Sequence, residues 1–320
     1  MPEKLVFAFS LILLAGFLCQ WIASYFKIAA ILFLLSTGIF IGPIMHWISP
    51  DKQLGTLLLP FISLAVAIIL FEGSMTLKFS KIYGLGSVIC NLISIGVVIT
   101  CASIGFTTHW LMNFSWEVSF LFAALMVVTG PTVIGPMLRI LRPNSNIANV
   151  LHWEGILIDP IGAILAVLVF EFIISNNVSE GFISGLLSFG KIIITGASFG
   201  VIGGLFIGIA FKKYWIPQAL HNFAVLTVIS LIYASSNYII SESGLLCATV
   251  MGVTLANLKN IELDDILNFK ESLSLVLLSI LFIILAARIN LSSFINLGYP
   301  AIRVWGAMEQ PTDLRTILVF

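Results

Sequence analysis

The sequence predicts an all-α polytopic membrane protein of about ten transmembrane helices, with broken helices at mid-membrane and an inverted repeat. Three observations lead there. Hydrophobic residues make up 59% of the 320 and charged residues 9%, with a mean hydropathy of +1.11, whereas a soluble domain carries about 25% charged residues. Apolar runs of the length that roughly 30 Å of hydrocarbon demands recur along the chain, and backbone in that environment must satisfy its own hydrogen bonds, which makes the runs helices. Glycine and proline interrupt two of those runs beside polar side chains.

The runs fall at roughly 5–23, 28–48, 54–73, 82–108, 116–138, 148–174, 183–211, 218–240, 242–258 and 271–290. The first is too long for the h-region of a signal peptide, and no small-residue cleavage site precedes the second. Connections after odd-numbered spans hold Lys27, Lys78 with Lys81, Arg139 with Arg142, Lys212 with Lys213, and Lys259 with Lys270. Before residue 291 the other side offers little beyond Lys4 and Lys52. Short basic loops stay in the cytoplasm, so the expectation is a multi-pass protein of the cell membrane, the bacterial inner membrane, with its N-terminus outside.

Basic and acidic residues number 15 each, which leaves no net field for nucleic acid. Cys19, Cys90, Cys101 and Cys247 show no CxxC spacing, so neither a disulfide framework nor a zinc site is implied, and no cofactor is expected. Residues 299–320 include Arg303, Glu309, Asp313 and Arg315 and no run long enough to span; they read as an atypical tail behind a membrane domain at 1–298. A faint repeat runs through that domain. LLSTGIFIGP (Leu34 to Pro43) in the second span is echoed by LLCATVMGVTLAN (Leu245 to Asn257) in the ninth, and each precedes a Leu-rich span ending in a charge, Glu72 or Arg288. Spans one to three and eight to ten then run in opposite directions, as in the inverted repeats of secondary transporters.

The chemistry concentrates in spans five and six. MVVTGPTVIGPMLR, from Met126 to Arg139, places Gly130, Pro131, Gly135 and Pro136 where proline removes helical donors and glycine adds freedom, so the helix is expected to unwind there. Freed carbonyls with the hydroxyls of Thr129 and Thr132 are hard oxygen ligands suited to an alkali cation. In span six, Asp159 lies near the helix centre, where a carboxylate costs about 2.5 to 3.5 kcal/mol and therefore faces a cavity or a partner. Pro160 and Gly162 follow it and mark a second expected helix break.

Glu154, five residues before Asp159, is about 500° away around a helix, so the two carboxylates do not share a face. Glu154 is expected in a buried ion pair. Arg288 is an intramembrane cation that needs a partner: Glu154, Glu72 or a set of carbonyls. Glu72 itself reads as a loop-anchoring acid beside Lys78 and Lys81. Gly196-Ala197-Ser198-Phe199-Gly200 fits G-x-S-x-G but sits in an apolar helix, and glycines at 196, 200, 204 and 208 read as a packing face. His46, His109, His152 and His221 stand at span ends without ligand spacing, in capping or interfacial positions.

At these residues the sequence resembles the cation/proton antiporter-1 family of Na+/H+ exchangers, over roughly residues 5–298. FEGSMTL resembles the family's FEGG-like segment. Thr129 to Thr132 (TGPT) stand where many members have T-D-P, and EGILIDP (Glu154 to Pro160) where they have E-S-x-x-N-D-P. The resemblance implies that Asp159 binds the transported ion, that Thr129 stands beside it in the unwound helix, and that Glu154 pairs with an arginine. Gly130 replaces the aspartate of TDP and Ile158 the asparagine of the N-D pair, which thins the shell of side-chain oxygens. Members have about 12 or 13 spans, so a C-terminally truncated chain is the expectation.

The implied activity is electroneutral exchange of Na+ or K+ for H+ at Asp159, without enzymatic chemistry, in a lipid bilayer and in a homodimer suggested by glycine-lined faces and the family's habit. The alternatives are a non-transporting fragment, a sodium-coupled organic-solute carrier and, on Ser198, an intramembrane hydrolase.

Overall fold

The computed structural model describes residues 2–130, 134, 138, 141, 143–174, 178–258 and 264–289. Pro131, Thr132, Gly135, Pro136, Arg139, Arg142 and the tail at 299–320 lie outside the described residues. Described segments are helical, without strands: α1 (Pro2–Phe26), α2 (Ala30–Ile39, continued by a π turn over Phe40–Ile44), α3 (Leu58–Ser74), α4 (Gly86–Met112), α5 (Trp116–Met126), α6 (Ser145–Ile174), α7 (Val178–Lys212), α8 (His221–Ile239), α9 (Ser243–Ala256) and α10 (Asp264–Ala287).

Each of α1 to α10 coincides with one predicted run. Six are long and apolar enough to cross a membrane, while α2, α5, α9 and the Ser272–Ala287 part of α10 are shorter apolar helices. Their brevity has local causes. The second run widens into its π turn around Pro43. The fifth begins at Ser115, whose hydroxyl accepts from the Val118 N–H, and ends at Met126 rather than near 138. Pro131 has no N–H to give the Val127 carbonyl and disfavours helical backbone at Gly130. α4 contains a second π turn, Leu92–Gly96, that the pattern of apolar residues did not announce.

One expected break is absent. α6 runs unbroken through Pro160 and Gly162, because the single donor removed by a proline is a loss that a long, packed membrane helix absorbs. Pro160 therefore does not belong to an unwound helix, and only span five is interrupted beside Asp159.

The packing relates the first three helices to the last three. α1 and α2 pack on each other and on α10; α8 and α9 pack on each other and on α3; α3 and α10 meet. Exchanging helices 1, 2 and 3 with 8, 9 and 10 maps each of these contacts onto another, the pattern that an internal repeat of three helices leaves. Two apolar cores follow. Cys19, Leu34, Ile41, Leu58 and Ile283 belong to the α1–α2–α10 side, and Phe71, Ile207, Ile229, Met251 and Leu255 to the α3–α7–α8–α9 side.

The glycine face of α7 is filled by α9. A Cβ at Gly196 would stand 2.8 Å from the Ser243 carbonyl oxygen, one at Gly200 2.6 Å from that of Cys247, and one at Gly204 2.7 Å from Thr254 Cβ. That face is spent within the chain, so it offers nothing to a second copy. Ser198 lies on an ordinary helical turn with its hydroxyl donating to the Thr195 carbonyl, the geometry of a packing helix rather than a nucleophile elbow.

Candidate functional site

Span five leaves its helix at Val127, and Val128, Thr129 and Gly130 are non-helical; a turn resumes where the Ile134 N–H donates to the Gly130 carbonyl at 3.3 Å. Buried Val127 anchors the segment against Ile158 of α6 and Val97 of α4, with Val128 and Leu165 packed around them. The segment lies directly on α6. A Cβ at Gly155 would come within 2.6 Å of Ile134 Cδ1 and 3.5 Å of the Thr129 carbonyl oxygen, and one at Gly162 would overlap Val128 Cγ2.

Asp159 is four residues after Gly155 and three before Gly162, which puts it on the same stripe of the helix. That stripe faces the interrupted segment. Asp159 Oδ1 is buried and has no hydrogen-bond partner among the described residues. A bare carboxylate oxygen away from water is costly unless something else satisfies it.

Glu154 is 4% exposed. The Thr129 hydroxyl donates to its carboxylate, 3.0 Å from Oε1 and 3.0 Å from Oε2, so one hydrogen is shared between two acceptors. Thr129 thus ties the interrupted segment to α6 through its side chain, while its carbonyl faces Gly155. Glu154 and Asp159 do not share a face, as their spacing requires, yet each borders the same segment.

Arg288 is the principal correction. Its guanidinium reaches neither Glu154 nor Glu72 but Asp51, with Nη2 3.0 Å from Oδ1 and Nε 3.2 Å from Oδ2. The side chains are 36% and 63% exposed. Arg288 follows the last residue of α10, and Asp51 lies in the first turn of the short helix Pro50–Leu54 ahead of α3, so the pair closes one end of the bundle instead of crossing its middle. Nothing in the local sequence marks Asp51, which is distant in the chain and meets Arg288 only through packing.

Sequence reasoning missed a second set of contacts at the opposite end of α3. Asn257, just past α9, donates from Nδ2 to the Leu77 carbonyl at 2.8 Å and accepts the Phe79 N–H on Oδ1 at 2.8 Å. The side-chain amide imitates a strand partner for the loop. His152 Nε2 is 2.7 Å from the Thr76 hydroxyl, which itself donates to the Gly73 carbonyl at 2.6 Å. With the only hydroxyl hydrogen so engaged, His152 is the donor of that bond.

His109 stacks on Trp116 at 3.8 Å and His221 on Phe211 at 4.1 Å, each with a ring nitrogen on a loop carbonyl. Both occupy helix-end positions of the kind expected. No group of three His, Cys, Asp or Glu side chains that could hold a metal occurs among the described residues.

Comparison with known proteins matches this architecture. The sequence fits the family described as sodium/hydrogen exchanger, transmembrane, over residues 10–308. It is 27% identical over 312 residues to Na(+)/H(+) antiporter 1 of Methanocaldococcus jannaschii, covering 92% of this chain and 70% of that protein. A K(+)/H(+) antiporter NhaP2 of Shewanella sp. (strain ANA-3) is 24% identical over 240 residues, 75% of this chain and 42% of its own length. The chain therefore spans less than half of that relative. The structure of the sodium proton antiporter MjNhaP1 from M. jannaschii at pH 8 has a TM-score of 0.80 and 25% identity, and the match covers 99% of this chain and 79% of that one. The chain belongs to the sodium/hydrogen exchanger family, membrane transporters and not enzymes.

Proposed function

We propose that the chain is a secondary active antiporter exchanging Na+ or K+ for H+, with Asp159 accepting either ion. The observation that carries this reading is the buried Asp159 Oδ1, without a hydrogen-bond partner among the described residues, on the stripe of α6 that meets the interrupted segment. Removal from water disfavours a charged carboxylate; a proton abolishes the charge, and an alkali cation offsets it. Both act on the same two oxygens, so each excludes the other.

Further oxygens come from span five. The Thr129 hydroxyl is engaged with Glu154, so its carbonyl oxygen is the natural contribution of that residue to a cation, with Thr132 as a further ligand. Gly130 and Ile158 add no side-chain oxygen, which leaves selectivity to backbone carbonyls, Thr132 and Asp159.

If exposure of Asp159 switches sides only when it is occupied, the proton and cation gradients are coupled. One proton is exchanged for one monovalent cation, so the transport cycle moves no net charge. The membrane potential, about 2.3 kcal/mol per charge per 100 mV, then does not drive it. The basic loops support an inner-membrane orientation with the N-terminus outside, and a homodimer rests on the family resemblance alone, since α9 fills the glycine face of α7. Asp159→Asn in everted membrane vesicles is expected to abolish cation-dependent proton flux at normal protein levels; flux retained in that variant would refute the assignment.

A further inference from the structure

The connection that follows α3 crosses from one packing unit of the bundle to another. Met75 is buried in the α3–α7–α8–α9 core, with Phe71, Met251 and Leu255. Two residues on, Leu77 is fully buried in a different cluster, with Leu92 of α4 and Val150, Trp153 and Ile156 of α6. α6 carries Asp159, and its Ile158 forms the small core beside the site with Val97 of α4 and Val127. A displacement of Asp159 relative to α3 and α9 therefore has to be taken up at residues 75–77.

The two sides of this connection are held differently. On the α9 side Asn257 fixes the backbone, donating to the Leu77 and Val253 carbonyls and accepting the Phe79 N–H, each at 2.8 Å. Such bonds are directional, so they hold loop and helix in one register. On the α6 side, Leu77 and the Phe79 ring, 5.4 Å from that of Trp153, make apolar contacts, which have no preferred direction and tolerate sliding. Polar contacts there include the exposed His152–Thr76 bond at 2.7 Å and one of 3.3 Å from Asn149 Nδ2 to the Lys81 carbonyl. Water reaches both, so they open at little cost. His152 precedes Asp159 by seven residues, two helical turns, which puts both on the stripe that carries Gly155 and Gly162. The bond thus stands about 10 Å along the helix axis from Asp159, at the end of the basic loops. On the reading that Asp159 exchanges its ions by alternating exposure, we propose that the connection is a latch: it stays on α9, and the His152–Thr76 bond opens once in every transport cycle to release α6.

The test is Thr76→His, which with His152 offers Zn2+ two imidazoles across the contact. In everted vesicles Zn2+ is expected to stop cation-dependent proton flux by this variant and EDTA to restore it, while wild type and the variant with His152→Ala added keep their flux. Zn2+ that binds Thr76→His, seen as a raised unfolding temperature, yet leaves its flux unaltered would overturn the latch. Thr76→Val removes the bond and should shift the balance between the two exposures. Measured in everted and right-side-out vesicles, the apparent KM for the cation should rise on one face and fall on the other, by about two- to fivefold for one exposed hydrogen bond. A purely structural tie would lower the unfolding temperature and leave the ratio of the two KM values unchanged, which refutes the proposal. Should Thr76→His fail to fold or to bind Zn2+, that ratio decides alone. Absence of flux in wild-type vesicles would strike the exchange reading itself, whereas normal flux indifferent to the bridge strikes only the latch.

Discussion

Thr129→Val removes one hydroxyl and keeps the shape of the side chain, so its effect isolates a single hydrogen bond. That bond ends on a carboxylate that is 4% exposed, at 3.0 Å to each oxygen, and water has little access to replace it. Hydrogen bonds to charged groups contribute about 1.5 to 3 kcal/mol, against well under 1 kcal/mol for an exposed contact of the same kind. Thr129→Val should therefore destabilise the protein by about 2 kcal/mol, while Thr129→Ser, which restores the donor, should recover most of the loss. The assay is thermal unfolding in detergent for wild type, Thr129→Val, Glu154→Gln and the double variant, read as a double-mutant cycle. A coupling near zero, or a Thr129→Ser variant as unstable as Thr129→Val, would show that the hydroxyl does not tie the interrupted segment to α6. Because the same segment borders Asp159, vesicle transport should fall in Thr129→Val and return in Thr129→Ser.

Three further outcomes follow from the packing. Gly200→Leu forces atoms into a space already only 2.6 Å from the Cys247 carbonyl oxygen, so it should cost about 1 to 3 kcal/mol or more by separating α7 from α9; an unfolding temperature equal to wild type would contradict that contact. Gly162→Leu should displace Val128 and with it the segment beside Asp159, so vesicle exchange is expected to be lost, whereas an unaltered rate would mean that the approach of span five to α6 is dispensable. Asn257→Ala removes the bonds at 2.8 Å to Leu77 and Phe79, and amide hydrogen exchange at Phe79 should quicken; unchanged protection there would show that the side-chain clamp contributes nothing.

The helices were readable because each depends on neighbouring residues. Run length and apolarity mark α1 to α10 among the described residues, and Gly130 with Pro131 marks the interruption of span five, since a missing donor and a disfavoured backbone angle act within one turn. Pro160 shows the limit of the same logic. A proline weakens a helix locally, but whether the helix then breaks depends on what packs around it, and α6 stays continuous. Asp159 could be singled out because a carboxylate amid apolar residues is costly wherever its helix sits. Its position on the Gly155–Gly162 stripe becomes meaningful only once Val128 and Thr129 are seen lying on it.

Partner choice behaved differently. Arg288 demanded a counter-charge because its own neighbourhood is apolar, yet the partner, Asp51, sits in a connection between α2 and α3 that carries no local signal. Thr129 was expected beside Asp159, and its hydroxyl instead serves Glu154. The sequence by itself determined that the chain is a bundle of membrane helices, where one of them comes apart and which acid is exposed to the consequences, because solvation and backbone geometry act over a few residues. The tertiary structure alone decided which charges meet, which glycines are filled and which oxygen is left bare, because those outcomes depend on how helices distant in the chain come to lie against one another.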